Sequence, residues 1–285
     1  MLNTTQLKEN PTSRVIVFNA LVGSPNYNLS TPSSDKDYKV FVLPSLDDLY
    51  YKHELSTTTI KDNFCDYDYK DIRLLYSLLT KGSPQYLEIL FSREVLINDS
   101  LLNNDIYQQL RVISEDIVKV HIDTVFNSTI GHITKKISNT ELKAAENNRA
   151  NGKVFNIESR HFDLKQLHHA YRLKLLLERY FTGDFNSYQH ALYFDDNEPI
   201  RQQLIDIKLG QINLEQVELY TSEVRDFLSN NSKFGKQWIE KANDLFGDLA
   251  AKYMVKNLEY TQFEYNKPVF DILKNGFDRL IRYSI

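Results

Sequence analysis

Between Arg14 and Val22 the chain reads RVIVFNALV, nearly all apolar and rich in β-branched residues, which predicts a strand covered on both faces. It stops at Gly23-Ser24. A polar loop follows (PNYNLSTPSS, 25–34), then DYKVFVL (37–43), a second buried strand ending at Pro44. Residues 46–64 carry no clear period. Apolar residues at Tyr69, Ile72, Leu75, Tyr76 and Leu79 predict a helix over 68–79, closed by Lys81-Gly82-Ser83-Pro84, and YLEILF (86–91) reads as a third strand with Glu88 inside it. Beyond Leu101 no strand pattern persists. The text predicts helices at 104–122, 124–137, 163–181, 198–206, 213–229, 236–256 and 266–282, with Asn147–Lys153 as a loop or linker and residues 1–13 as a polar tail.

The plan is therefore α+β, a mixed sheet with flanking helices over 1–100 and a mainly helical region over 101–285. Composition agrees: nine glycines and seven prolines in 285 residues suit long helices with economical turns. A net charge of −4 gives the whole molecule no reason to coat nucleic acid or an anionic membrane. Cys65 is the only cysteine, so an internal disulfide is excluded, and the acids around it (Asp62, Asp66, Asp68) make it a poor nucleophile. No apolar run fits a signal peptide or a membrane span, and the expected setting is cytoplasmic, with no membrane partner. In that setting the Asn-x-Ser/Thr triplets are chance products.

Candidate chemistry starts with Asp35 and Asp37. Two apart on a strand, they project to one face and suit a divalent ion that carries a nucleoside triphosphate, since Mg²⁺ takes one or two carboxylates plus substrate phosphates. A bare Asp-x-Asp equally describes a solvated turn, and Asp66-Tyr67-Asp68 repeats it without the same context. The context of Asp35 and Asp37 is Gly23-Ser24 at the end of the preceding strand, where the missing Cβ admits phosphate oxygens and a hydroxyl adds a donor. Glu88 needs a cation or strong donor beside it if buried. Lys165, His169, Arg172 and Arg179 share one helical stripe, read either as a phosphate cradle or as a solvated face. Residues 131–179 hold ten Lys/Arg against five Asp/Glu, net +5, leaving −9 for the rest. His121, Asp123 and His132 do not share a stripe and read as packing. His168 points away from His169 and reads as structural, and Tyr107, Tyr171, Tyr180, Tyr253 and Phe277 read as core.

GSPNYNLSTPSSDKDYKVFVL resembles the signature of nucleotidyltransferases of the DNA polymerase beta superfamily, more narrowly the bacterial and phage branch associated with RNA repair pathways. The matching positions are Gly23, Ser24, Tyr27, Leu29, Pro32, Ser34, Asp35 and Asp37. KGSPQYLEILFS (81–92), KQLHHAYRLKLLLERYFTGD (165–184) and IRQQLIDIKLGQINLEQV (200–217) resemble three further blocks of that branch, in the same order, over about residues 14–228. Pro25-Asn26 and Asn28 depart from the pattern, although asparagine tolerates the left-handed backbone that a glycine would adopt at 28.

The resemblance implies a nucleotidyltransferase-type fold and a metal-dependent enzyme. It would move a nucleoside monophosphate from an NTP to an acceptor hydroxyl and release pyrophosphate, with RNA, including tRNA, as the expected acceptor. It implies two Mg²⁺ ions, with Mn²⁺ as a substitute, on Asp35, Asp37 and Glu88, which are then both catalytic and metal ligands. Gly23, Ser24, Lys165, His169 and Arg172 are the implied NTP or phosphate contacts. Transfer to a protein or small molecule, and a silent RNA- or partner-binding module of the same fold, are the alternatives.

Overall fold

The computed structural model describes residues 12–284 except 33, 54, 56–57, 62–64, 102–103, 143–153, 159 and 257–263. The linker candidate Asn147–Lys153 and nearly all of the polar tail lie outside the described residues. In chain order the first elements are β1 (Ile16–Val22), α1 (Ser24–Tyr27), β2 (Lys36–Val42), α2 (Leu46–Tyr50), β3 (Thr58–Lys61), β4 (Cys65–Asp71), α3 (Leu75–Thr80), α4 (Pro84–Leu90) and β5 (Val95–Ile97). Then come α5 (Ile106–Val112), α6 (Ser114–Val120), α7 (Ile122–Ser138), β6 (Glu141–Leu142), β7 (Val154–Ile157), β8 (Arg160–Asp163) and α8 (Leu164–Thr182). The last are α9 (Tyr188–Leu192), α10 (Pro199–Leu209), α11 (Leu214–Tyr253), β9 (Met254–Lys256), β10 (Glu264–Asn266) and α12 (Lys267–Ser284). The mixed sheet followed by helices is as the sequence predicts.

Contacts divide the chain into two compact units, one of Met1–Asn26, Ser33–His121 and Asp248–Ile285, the other of Tyr27–Pro32 and Ile122–Gly247. A cut after residue 100 therefore does not coincide with the packing: α5, α6 and most of the chain beyond 247 belong with the sheet.

The first unit is built on a five-stranded sheet in the order β3-β4-β2-β1-β5. Every residue of β1 is buried, as its apolar run requires. β2 runs antiparallel to β1, with Val22 opposite Asp37, and parallel to β4, with Asp37 opposite Asp66 and Lys39 opposite Asp68. One face collects Ile16, Leu21, Tyr38, Val40, Val42 and Tyr69. The other carries Phe18, whose ring lies 5.0 Å from Phe41 and 5.2 Å from Tyr107 of α5. Arg14 clamps the buried Asp48 through both carboxylate oxygens (2.7 and 2.8 Å) while Asp48 completes a capping box with Ser45.

Three expectations for this unit are corrected. Residues 86–91 are not a strand: they lie in α4 and its C-terminal cap, with Pro84 in the first turn, where its missing N–H costs nothing. The helix expected over 68–79 is β4, one 3-10 turn (Ile72–Leu74) and then α3; the buried Asp71 ends the strand by accepting the Arg73 N–H at 2.9 Å. The single helix expected over 104–122 is α5 and α6, broken at Ile113 (φ −101°, ψ 14°).

In the second unit α7 packs on α8, and α8 on α10. Here the sequence reading expects helices alone, yet β6, β8 and β7 form a small antiparallel sheet. Strands of four residues or fewer are too short to display a period of two. An aromatic cluster fills the interior: Trp238 stacks 4.8 Å from Phe181, and Phe126 lies 5.6 Å from Phe181. The two helices expected at 213–229 and 236–256 are one helix, α11, and Met254–Lys256 is strand β9, paired with β10. α10 ends at Gly210 with φ +73°, and a Cβ there would lie 1.9 Å from Cε1 of Phe155. Gly210→Ala combines a left-handed alanine with overpacking and is expected to lower stability by about 3 kcal/mol, seen as a fall in the urea midpoint. An unchanged midpoint would show that Phe155 moves aside freely. Among the described residues no helix is long and apolar enough to cross a membrane.

Candidate functional site

The end of the first unit's sheet gathers polar groups that the chain scatters. β1 delivers Gly23 in a left-handed conformation (φ +76°), and α4 supplies Glu88, buried at 4% exposure. The Gly23 N–H donates to Glu88 Oε2 at 3.0 Å, which gives the buried carboxylate the donor its burial demands. Asn26 reinforces the junction: its amide donates to the Glu88 carbonyl (3.4 Å) and its Oδ1 accepts the Arg93 N–H (3.0 Å). Asn26 is thus a buried fastener.

Asp37 comes to the same place from β2. A Cβ on Gly23 would stand 3.1 Å from Asp37 Oδ2, so the carboxylate lies against backbone that only glycine leaves bare. Asp35 precedes β2 and Asp37 lies within it, so strand alternation orients Asp37 alone. Both are exposed, and both act on Lys61, whose pKa is raised first by its hydrogen bond to Asp66 and to a smaller degree by Asp35 and Asp37. Gly23, Asp35, Asp37 and Glu88 therefore share one end of the sheet. Ser24, half-buried, opens the next turn.

Two residues here escape a sequence reading. The parallel register sets Asp66 beside Asp37 on the same sheet face, so the second Asp-x-Asp adjoins the first. Lys61 pairs with Asp66 at 3.0 Å and supplies the local counter-charge. Once 65–71 is known to be a strand, the two motifs align; read as a helix, the segment hides them. Deeper on that face Asp68 holds Lys39 (2.6 Å) and Lys70 (3.4 Å), and both ammonium groups lie over the Tyr86 ring of α4 at 5.5 and 5.6 Å. Among the described residues, no group of three or more His, Cys, Asp or Glu is arranged to hold a metal ion.

Lys165, His169 and Arg172 belong to the second unit, all on α8. Arg172 is 7% exposed, its guanidinium stacks 3.9 Å above the Tyr27 ring, and its Nε is buried without a hydrogen-bond partner. His169 titrates well below an ordinary histidine, first because of burial and then because His168, Arg172, Lys136 and Lys165 surround it. Lys136, from α7, is the neighbour that sequence reasoning passes over. Arg179 leaves the stripe for structure, pairing with Glu198 at 3.0 Å over the Phe194 ring. His168 is structural as expected: its Nδ1 lies 2.9 Å from the Leu204 carbonyl, and burial lowers its pKa to about 3. His121 is buried, its pKa lowered by burial to about 4, and it reads as packing. Tyr107, Tyr171 and Tyr180 are buried as expected of core residues. Asn28 adopts the left-handed backbone (φ 66°) and donates to the Phe194 carbonyl at 2.8 Å.

Compared with family models, curated proteins and solved structures, the chain finds no match in any of the three.

Proposed function

We propose that the protein is a metal-dependent nucleotidyltransferase that moves a nucleoside monophosphate from an NTP to an acceptor hydroxyl on RNA. The observation that carries this reading is the contact of the Asp37 carboxylate with the bare backbone of Gly23, at a strand end where Asp35 and Asp66 add negative charge. Carboxylates gathered at one strand end suit a divalent cation, and their hard oxygens suit Mg²⁺ or Mn²⁺. Asp35 and Asp37 would hold it together with the phosphates of the bound NTP, with Asp66 adding negative charge beside them and Lys61 as the present counter-ion. Bound there, Mg²⁺ supplies charge neutralisation on the triphosphate and a lowered pKa for the acceptor hydroxyl.

The chain's own residues do the positioning. Gly23 contributes by having no side chain, because its N–H is given to Glu88, and Ser24 offers a hydroxyl to the triphosphate tail. Glu88, which the family resemblance makes a third metal carboxylate, acts in this reading by fixing Gly23. Catalysis by such a site is mostly orientation and electrostatics.

The test is incubation with Mg²⁺, total RNA and each α-labelled NTP in turn, with Asp35→Ala as control and RNA and protein resolved separately. Label on RNA, lost in the control, is the expected result and names the base. Label on the protein moves the acceptor to a protein hydroxyl. No label on either, with measurable NTP binding, overturns transfer in favour of a silent binding module.

A further inference from the structure

We infer that Lys61 is the acceptor-side contact of the carboxylate end, its ammonium taking a backbone phosphate of the RNA whose hydroxyl attacks the NTP. This rests on the reading above and adds to it the side from which the RNA arrives.

Sheet order separates the two sides. Strands β3, β4, β2 and β1 are successive neighbours about 4.8 Å apart, and their register sets Lys61 opposite Asp66, Asp66 opposite Asp37 and Asp37 opposite Val22. Gly23 and Ser24 continue from Val22 at one end of this row. Lys61 stands at the other, with the carboxylates between. In the transfer the acceptor oxygen bonds to the α-phosphorus and gives up its proton to water, while the bond from that phosphorus to the bridging oxygen breaks and pyrophosphate leaves. Attacking and leaving oxygens lie in line on opposite sides of the transferred group. With the triphosphate tail at Ser24, pyrophosphate departs on the β1 side, and the acceptor comes from the side of β4 and β3.

Lys61 also has donors to give. Its side chain is 76% exposed, and Asp66 holds the ammonium at 3.0 Å. An ammonium carries three N–H donors, so this one ion pair aims the group along the carboxylate face and leaves donors to spare. Exposed pairs contribute little and exchange readily. The lysines around it are committed elsewhere. Lys39 and Lys70 share Asp68 against the Tyr86 ring, their side chains only 18% and 8% exposed. Lys36 adjoins Asp37 in sequence but faces the other side of the sheet, where Glu94 takes it at 3.2 Å and also accepts the Tyr38 hydroxyl.

An RNA backbone suits this position. Asp35, Asp37 and Asp66 repel each phosphodiester that accompanies the attacking hydroxyl, and a cation on the acceptor side offsets that repulsion. A lysine on a flexible stem is a point charge that positions a backbone without reading its bases. β3 is an edge strand of the sheet, which places Lys61 at its margin.

Fluorescence anisotropy of the full chain with a fluorescein-labelled RNA oligonucleotide of mixed sequence, in Mg²⁺ and without NTP, tests the contact. Lys61→Ala is expected to bind about fivefold more weakly, with the slope of log affinity against log salt reduced by about one, and Lys61→Arg to stay close to the parent. In the transfer assay Lys61→Ala is expected to raise the KM for RNA by a similar factor and to leave the KM for NTP within about twofold of the parent. Lys36→Ala, which removes a cation beside Asp37 on the opposite face, is expected to change neither. Melting temperature identifies any variant that fails to fold. A raised KM for NTP with RNA affinity unchanged puts Lys61 on the triphosphate side and overturns the inference. Unchanged RNA affinity and KM, the mark of a lysine that only guards a sheet edge, overturn it too, as does equal weakening by Lys36→Ala. A parent that labels no RNA sinks the reading above and this inference with it; a parent that labels RNA while Lys61→Ala matches it in both RNA measurements sinks this inference alone.

Discussion

Asp37→Asn is expected to lower nucleotidyl transfer by about a thousandfold or more without loss of melting temperature. The residue is exposed, so little packing is lost. It stands opposite Asp66 in a parallel pair, and removing one of two like charges relieves repulsion. Asp66→Asn removes negative charge beside the site and leaves Lys61 without its partner, and it is expected to cost less transfer than Asp37→Asn. Glu88 gives the discriminating comparison. Glutamine retains a carbonyl oxygen able to accept the Gly23 N–H, so Glu88→Gln is expected to keep transfer within about tenfold of the parent, whereas Glu88→Ala unfastens Gly23 and loses both activity and stability. Label transfer at saturating NTP together with thermal melting separates these cases. A Glu88→Gln variant as inactive as Asp37→Asn, and equally stable, would falsify the positioning role and return Glu88 to the metal.

How much of this was legible depends on which interactions set each element. β1 and the second half of β2 announce themselves because burial on both faces demands continuous apolar text. YLEILF misleads because six apolar-rich residues suit a strand or a helix equally; the arbiter was upstream, in Ser83 and Pro84 at the helix start. Between Tyr69 and Leu79 a helical spacing arises by accident, across a strand, a 3-10 turn and a short helix. That accident concealed the site's most informative feature, the parallel alignment of two Asp-x-Asp motifs, which only the register of β2 and β4 creates. Gly23 and Asp37 were legible as residue types at a strand end. That Glu88 reaches Gly23 from a helix, 65 positions away, was not, because the contact is tertiary.

Acidification from pH 7.5 to pH 5 is expected to destabilise each unit by about 2 kcal/mol through one buried histidine. His121 belongs to the first unit and His168 to the second, and burial lowers their pKa values to about 4 and about 3. In the unfolded chain each titrates near the ordinary value of about 6.5. Between that value and the folded one, the unfolded state holds a proton that the folded state refuses. Stability is therefore complete above about pH 6.5 and falls as pH drops toward 4 or 3. His169 acts in the same direction. Asp48, held low by Arg14, adds its loss only below the ordinary carboxylate range, outside this window, and Asp123, raised by burial, opposes the trend from its raised pKa down to the ordinary carboxylate value. Urea unfolding at pH 7.5 and pH 5 measures the effect, and His121→Gln removes the first unit's share of it whatever that variant does to stability at pH 7.5. A urea midpoint that stays level over this range would mean that both imidazoles reach water in the folded protein. If instead the slope persists and His121→Gln halves it, the two units carry separate acid-sensitive cores. Acid would then loosen the carboxylate end of the sheet through its own unit's core.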